Sequence, residues 1–393
     1  MAQFVTVLTT VALAGGPSPA LATDVQSGQW YLSALNIPKA QLITRGQGIT
    51  VAVIDGGVDP SVAALQGQVL QGTQFGVPQS PYGTVDTASN GHGTKMAGII
   101  AGIGSDNGLE LGVAPGVKIL PIAANSDEEI ARAISWSADH GARVINLSIA
   151  HDANHPLAAS VPAAVQYAQE KDVVIVAGAG NVAQSGLPVS LFAALPGVVA
   201  VSGADKKGNF WTGSSYGPQV AVAAPAVDMV GPTIPSVSAT GYITGSGTSD
   251  ATAVTSGCVA LIRAKFPSMD ANNVINRLIK TAVPPSDKKR SIYLGFGTVA
   301  PYRALTENVP TVTTNPLGGT PATTPSTAPG SNNSQPTTDN PGPNLIPWLI
   351  GAGICLIVVL AIVILIVVLV SRRRRPPPPG PYGTGFPPGP PYR

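Results

Sequence analysis

The chain has 393 residues, room for one large domain with accessories or for two modest ones at about 100–200 residues per domain. Charged residues are only 11% of it against a globular norm of roughly 25%, and Gly (45) and Pro (38) are abundant, so segments of unlike composition are being averaged. With 22 basic and 20 acidic residues, five of the arginines at the extreme C-terminus, the chain lacks the basic stripe of a nucleic-acid binder, and two cysteines, Cys258 and Cys355, exclude a disulfide framework.

In chain order, residues 4–14 are mostly apolar and Ala20-Leu21-Ala22 follows as a small-residue cleavage site. Together they predict a signal peptide over residues 1–22, although Met1-Ala2-Gln3 lacks the usual basic residue. From there to residue 305, short β-branched runs alternate with helical patterns: 49–54, 117–120, 142–147, 173–176 and 198–201. Near-continuous apolar strands indicate a parallel sheet covered on both faces, and the βαβ alternation predicts an α/β, doubly wound domain over residues 23–305. Ser126 to Glu129 form a capping box before the apolar stripe Ile130, Ala133, Ile134 and Ala138. Residues 306–343 are rich in Thr, Pro, Ser and Asn with no aromatic or basic residue, which predicts an extended, disordered stalk. Residues 345–371 carry no charge and are long enough to cross a bilayer, with Trp348 at one end and Arg372 to Arg375 at the other. This is the pattern of a transmembrane helix whose arginine end and Pro-rich tail (372–393) are cytoplasmic.

Ligands bind such sheets at the carboxyl ends of the strands, and three residues there form a chemically coherent set. Asp55 directly follows the first strand in Val51-Ala52-Val53-Ile54-Asp55-Gly56-Gly57. His92 is bracketed by Gly91 and Gly93, before a small-residue helix. Ser249 stands in Gly245-Ser246-Gly247-Thr248-Ser249, at the start of another helix. Each alone is ambiguous, since Asp caps turns and Ser caps helices. Together they suffice for acyl transfer: a serine hydroxyl needs an imidazole to take its proton, and the imidazole needs a carboxylate to fix its tautomer. Asn181, in Ala177-Gly178-Ala179-Gly180-Asn181, is the candidate oxyanion donor, aided by the backbone N–H of Ser249.

The order Asp, His, Ser and the motifs around Asp55, His92, Asn181 and Ser249 resemble the subtilisin-like serine proteases over about residues 45–300. Within that family the chain looks most like the mycosins, membrane-anchored proteases of type VII secretion systems. Gln29-Trp30-Tyr31-Leu32 ahead of the core, the stalk with one C-terminal span and the Pro-rich tail carry that likeness. The resemblance implies a three-layer subtilisin-like fold and endopeptidase activity outside the cytoplasmic membrane on protein or peptide substrates. It also implies association with membrane proteins of the secretion complex and no cofactor. It makes Asp55 the orienting carboxylate, His92 the general base and acid, Ser249 the nucleophile and Asn181 the oxyanion donor. Ser148, Ile149 and Ala150 become the backbone edge that pairs with substrate, and Ala179 and Gly180 the lining of the pocket for the side chain before the scissile bond. No carboxylate cluster has metal-ligand spacing, so no metal is assigned.

Four features depart from the family pattern. Gly56 stands where relatives have a hydroxyl able to reach the catalytic Asp, and Asp250 and Ala253 replace an apolar residue and a proline after the nucleophile. The Asp250 carboxylate would oppose a developing oxyanion unless its side chain points into solvent. The link between Leu120 and the capped helix is short, so a substrate-flanking strand is trimmed, and Cys258 is packed rather than reactive. Gly56 and Asp250 keep a second reading in view: a weakly active or inactive protease fold serving as a structural component of the membrane complex.

Overall fold

The computed structural model describes residues 25, 27–76, 80–104, 108–150, 156–287 and 289–319. The expected signal peptide, residues 320–343 of the stalk, the membrane span and the cytoplasmic tail lie outside these residues.

A seven-stranded sheet, parallel throughout, forms the centre. Its strands are β1 (Thr50–Asp55), β2 (Thr73–Gln74), β3 (Lys118–Ala123), β4 (Val144–Leu147), β5 (Val174–Gly178), β6 (Val199–Ala204) and β7 (Val222–Pro225), in the order β2-β3-β1-β4-β5-β6-β7. Five of these coincide with the apolar runs of the sequence. The order reverses at β1, so the crevice at the ends of β1 and its neighbours is the switch point where doubly wound sheets bind ligands.

Side chains alternate along β1 and divide the interior into two cores. Val51 and Val53 join one core with Met96 and Ile100 of α3 (His92–Ala101), and with Val254 and Cys258 of α7 (Thr248–Lys265). Ala52 and Ile54 join the other with Ile130 and Ile134 of α4 (Asp127–Asp139) and Val161 of α5 (Ser160–Glu170). Ser126 caps α4 as its sequence predicts, its hydroxyl accepting from Glu129 N while the Glu129 carboxylate accepts from Ser126 N. Cys258 is wholly buried and its thiol is pushed up by that burial, as a packed rather than reactive cysteine requires.

Two segments extend beyond the sheet. The N-terminal helices α1 (Trp30–Ala34) and α2 (Ile37–Gln41) insert Tyr31, Ile37 and Ala40, all fully buried, into the first core. At the other end, the boundary expected at residue 305 lies later. After α9 (Pro301–Thr306), residues 307–319 remain tied to the domain, because Asn276 and Asn273 of α8 (Ala271–Lys280) donate to the carbonyls of Pro310 and Val312, and Gly197 N donates to Leu317 O. Composition hid this because the ties run through backbone carbonyls, which every residue carries. A hairpin of β8 (Met229–Pro232) and β9 (Tyr242–Gly245) lies outside the main sheet.

Candidate active site

Asp55 ends β1 with four apolar residues behind it and is 5% exposed. Its Oδ1 accepts the Gly56 N–H at 2.8 Å, and its Oδ2 lies 2.8 Å from His92 Nδ1. A carboxylate accepting at Nδ1 holds the proton there and leaves Nε2 free as a base. The imidazole pKa is raised above its ordinary 6.5: burial alone would lower it, but the charge of Asp55 and the hydrogen bond to it outweigh that effect.

His92 occupies the first turn of α3, and the chain reaches it through tight backbone packing. Gly91 has φ 64°, in the left-handed region, and a β-carbon at Gly93 would collide with the Gly57 carbonyl oxygen. The helix start is held by Asp86, which sequence reading missed. Its Oδ2 accepts from both Thr94 N (2.8 Å) and Thr94 Oγ1 (2.7 Å), doing from a distant loop what an N-cap does locally. Burial raises the Asp86 carboxyl pKa, the Thr94 bonds opposing it.

Gly56 now has a packing reason. A β-carbon there would lie 2.9 Å from Ala88 N and 3.1 Å from its β-carbon, so the hydroxyl residue of relatives does not fit this backbone. Gly56→Ser is therefore expected to lower stability by about 1–3 kcal/mol without raising kcat. Thermal melting and steady-state kinetics check this; a faster enzyme of unchanged stability would contradict it.

Ser249 lies in the first turn of α7, after the extended Gly247. Its hydroxyl donates to Ser148 O at 3.1 Å, and among the described residues that is the bond it makes. Ser148 follows β4 and is fixed from below: Asn146 Nδ2 donates to Ser148 Oγ (2.8 Å), and Ser256 Oγ donates to Asn146 Oδ1 (2.9 Å). The end of β4 and the face of α7 are thus joined through a buried asparagine. Among the described residues no hydrogen bond joins the Ser249 hydroxyl to the His92 imidazole; in a substrate-free enzyme such catalytic bonds are often long.

Asn181 stands beside the same helix start, its Oδ1 accepting from Thr248 N at 2.9 Å, while its Nδ2 donates to Gln184 Oε1 at 2.9 Å. The amide is therefore oriented by both its atoms, and an oxyanion would take the place of Gln184 as acceptor. Ala179 is fully buried in the second core, and Gly180, at φ 104°, donates its N–H to Thr248 Oγ1 at 3.3 Å. These two can present only backbone to a ligand. Ile149 lines a cleft of about 300 Å³ with Asp55, His92, Thr87, Ala88, Ala124 and Asn125. Ala150 is exposed beyond it. Only Ala124, Asn125 and Ser126 join β3 to α4, so the strand that the short link was expected to trim is absent there.

Of the two orientations left open for Asp250, the inward one is found. Its side chain turns inward instead of toward solvent: it is 3% exposed and its Oδ1 lies 2.5 Å from Lys95 Nζ, which is also buried.

A parallel sheet with an Asp–His pair at its carboxyl edge and a serine at the head of an adjoining helix defines a hydrolase of the serine peptidase class. The chain belongs to the subtilase family, whose pattern matches residues 46–319, and it is a serine endopeptidase. It is similar to mycosin-1 of Mycobacterium tuberculosis, 30% identical over 76% of this chain and 77% of that protein. Among solved structures it is similar to the MycP3 protease from the type VII (ESX-3) secretion system. The TM-score is 0.62 at 34% identity, covering 71% of this chain and 88% of that one. It is also similar to a chain of the periplasmic assembly from the ESX-5 inner membrane complex. There the TM-score is 0.63 at 29% identity, covering 84% and 92%.

Proposed function

We propose that the protein is a membrane-anchored serine endopeptidase that cuts exported polypeptides outside the cytoplasmic membrane, in association with a type VII secretion complex. Asp55 orients and charges the imidazole, His92 takes the Ser249 proton and returns it to the leaving amine, and Ser249 forms the acyl-enzyme. Asn181 Nδ2 and the Ser249 N–H, the latter at a helix start whose dipole favours negative charge, stabilise the oxyanion. Ser148 to Ala150 offer an edge for an extended substrate, with Ala179 and Gly180 presenting backbone to its side chain. The Asp55–His92 hydrogen bond at the sheet's switch point, with the neighbouring helix α7 carrying Ser249 in its first turn, supports this reading. Anchoring rests on the uncharged run 345–371 followed by four arginines.

A fluorophosphonate should label Ser249 in the purified protein, and an unstructured polypeptide should be cleaved. Absence of both, under conditions that label an active subtilase, would remove the reading. A second reading, a structural component without catalysis, draws on the Ser249 hydroxyl resting on Ser148 O and the Asn181 amide resting on Gln184. Comparing secretion in cells carrying Ser249→Ala with cells lacking the protein separates the two. Equal failure means that catalysis is required.

A further inference from the structure

Behind the cleft lies a buried charged cluster that the acyl-transfer chemistry leaves unused. Asp250 directly follows Ser249 on α7, Lys95 follows His92 on α3 within a turn, and their 2.5 Å ion pair joins the heads of the two helices. Glu110 is the third member. It is fully buried beside Tyr31, and a β-carbon on Gly98 of α3 would lie 2.6 Å from its Oε2. Burial pushes the carboxyl pKa of Glu110 well above the usual range and raises that of Asp250 too, and the Lys95 charge opposes both shifts.

The lysine stem runs through a passage shaped for it. A β-carbon at Gly231 of β8 would lie 2.6 Å from Lys95 Cγ, and one at Gly245, which pairs with Met229 across the hairpin, 3.4 Å from Nζ. The same probe places the carboxylate: a β-carbon on Gly247 would lie 3.5 Å from Asp250 Oδ2 and 3.8 Å from Asn181 Nδ2. The acid and the amide that would receive the oxyanion thus flank the same glycine, where an unpaired negative charge at low exposure repels a second one.

We infer that Lys95 is a positioning residue that cancels the charge of Asp250 beside the oxyanion site, and that the pair holds His92 and Ser249 in register across α3 and α7. The inference rests on Ser249 being the nucleophile. A carboxylate next to the nucleophile is tolerated in this chain because a lysine from the base-bearing helix neutralises it.

A double-mutant cycle on the full chain tests it, with kcat and KM measured on one peptide substrate and melting temperature recorded for every variant. Lys95→Met is expected to lower kcat on the order of ten- to a hundredfold with KM changed less than about threefold, because the bare carboxylate opposes charge formed only in the transition state. In the Asp250→Asn background the same Lys95→Met change should cost less than about threefold. A general packing role for Lys95 would not produce that rescue. If Lys95→Met leaves kcat intact, or costs tenfold in both backgrounds, the inference is wrong. Should Lys95→Met alone fail to fold, the comparison within the Asp250→Asn background still decides, a tenfold loss there overturning it. Wild-type protein that neither cleaves nor is labelled removes the parent reading as well, whereas active, labelled protein with no coupling between the two sites removes this inference alone.

Discussion

Asp55→Asn is expected to lower kcat by about 10⁴-fold while KM changes little, since the amide cannot hold the Nδ1 proton of His92 or stabilise the imidazolium. The pH profile should move as well. A general base works when neutral, so in the wild type kcat/KM should climb as pH rises through a midpoint above 6.5, where Asp55 holds the imidazole. Without the carboxylate, burial is the dominant remaining influence and favours neutral imidazole, so the midpoint should fall below 6.5 and the acid limb shift to lower pH. Linkage has the matching sign: because the folded-state pKa is raised, the His92–Asp55 pair contributes stability that is full below about pH 6.5 and fades as pH rises through the folded value. Rate profiles between pH 5 and 9 read this directly, and an acid limb that stays put or moves upward in the variant would show that Asp55 does not tune His92.

Asp172→Ala is expected to be the most destabilising single change away from the site. Arg263 is 1% exposed, the largest of the fully buried side chains, and Asp172 is its counter-ion at 3.0 Å, with Met269 O accepting another of its N–H groups. The same carboxylate takes Arg143 at 2.7 Å and the Ala271 N–H at the start of α8. Removing it strands a guanidinium in the interior, which costs about 3–5 kcal/mol, or on the order of 10 °C in Tm. The reverse change should be milder. Arg263→Met leaves a carboxylate that is already a quarter exposed and keeps Arg143, while an apolar chain fills the space. Calorimetry on both variants tests the ordering; equal losses would mean that packing of Arg263, not its charge, is what matters. The cluster lies at the opposite ends of the strands from Ser249, so folded Asp172→Ala protein should retain its kcat.

Most of the sheet was legible because β1 and β3 to β6 are buried on both faces, and a strand with no solvent face writes itself as an apolar run. β7 was not, being four residues long and ending in Pro225, and the β8–β9 hairpin was hidden by Gly231 and Pro232 at positions where strand formers are expected. The Asp, His and Ser proposed for the site were singled out for a related reason: each sits next to glycines that permit backbone to approach backbone, and glycine leaves a mark in sequence. What holds them left none. Asp86 capping the helix of His92, Asn146 bridging to Ser256, 110 residues away, and Lys95 meeting Asp250 are pairings that only the folded topology creates.

The placement of Tyr31 sets a limit on how the chain can be trimmed. The family likeness begins at Gly46, yet Tyr31, Ile37 and Ala40 are fully buried ahead of it, and the Gln29 side chain both donates to Leu111 O and accepts from Leu111 N. Processing upstream of Gln29 spares these three side chains and removes only Val25 from among the buried apolar residues described. A cut between Gln29 and Gly46 would peel a hydrophobic plug from the first core, so in a protease this stretch is safe only while it stays out of reach of any neighbouring copy's cleft.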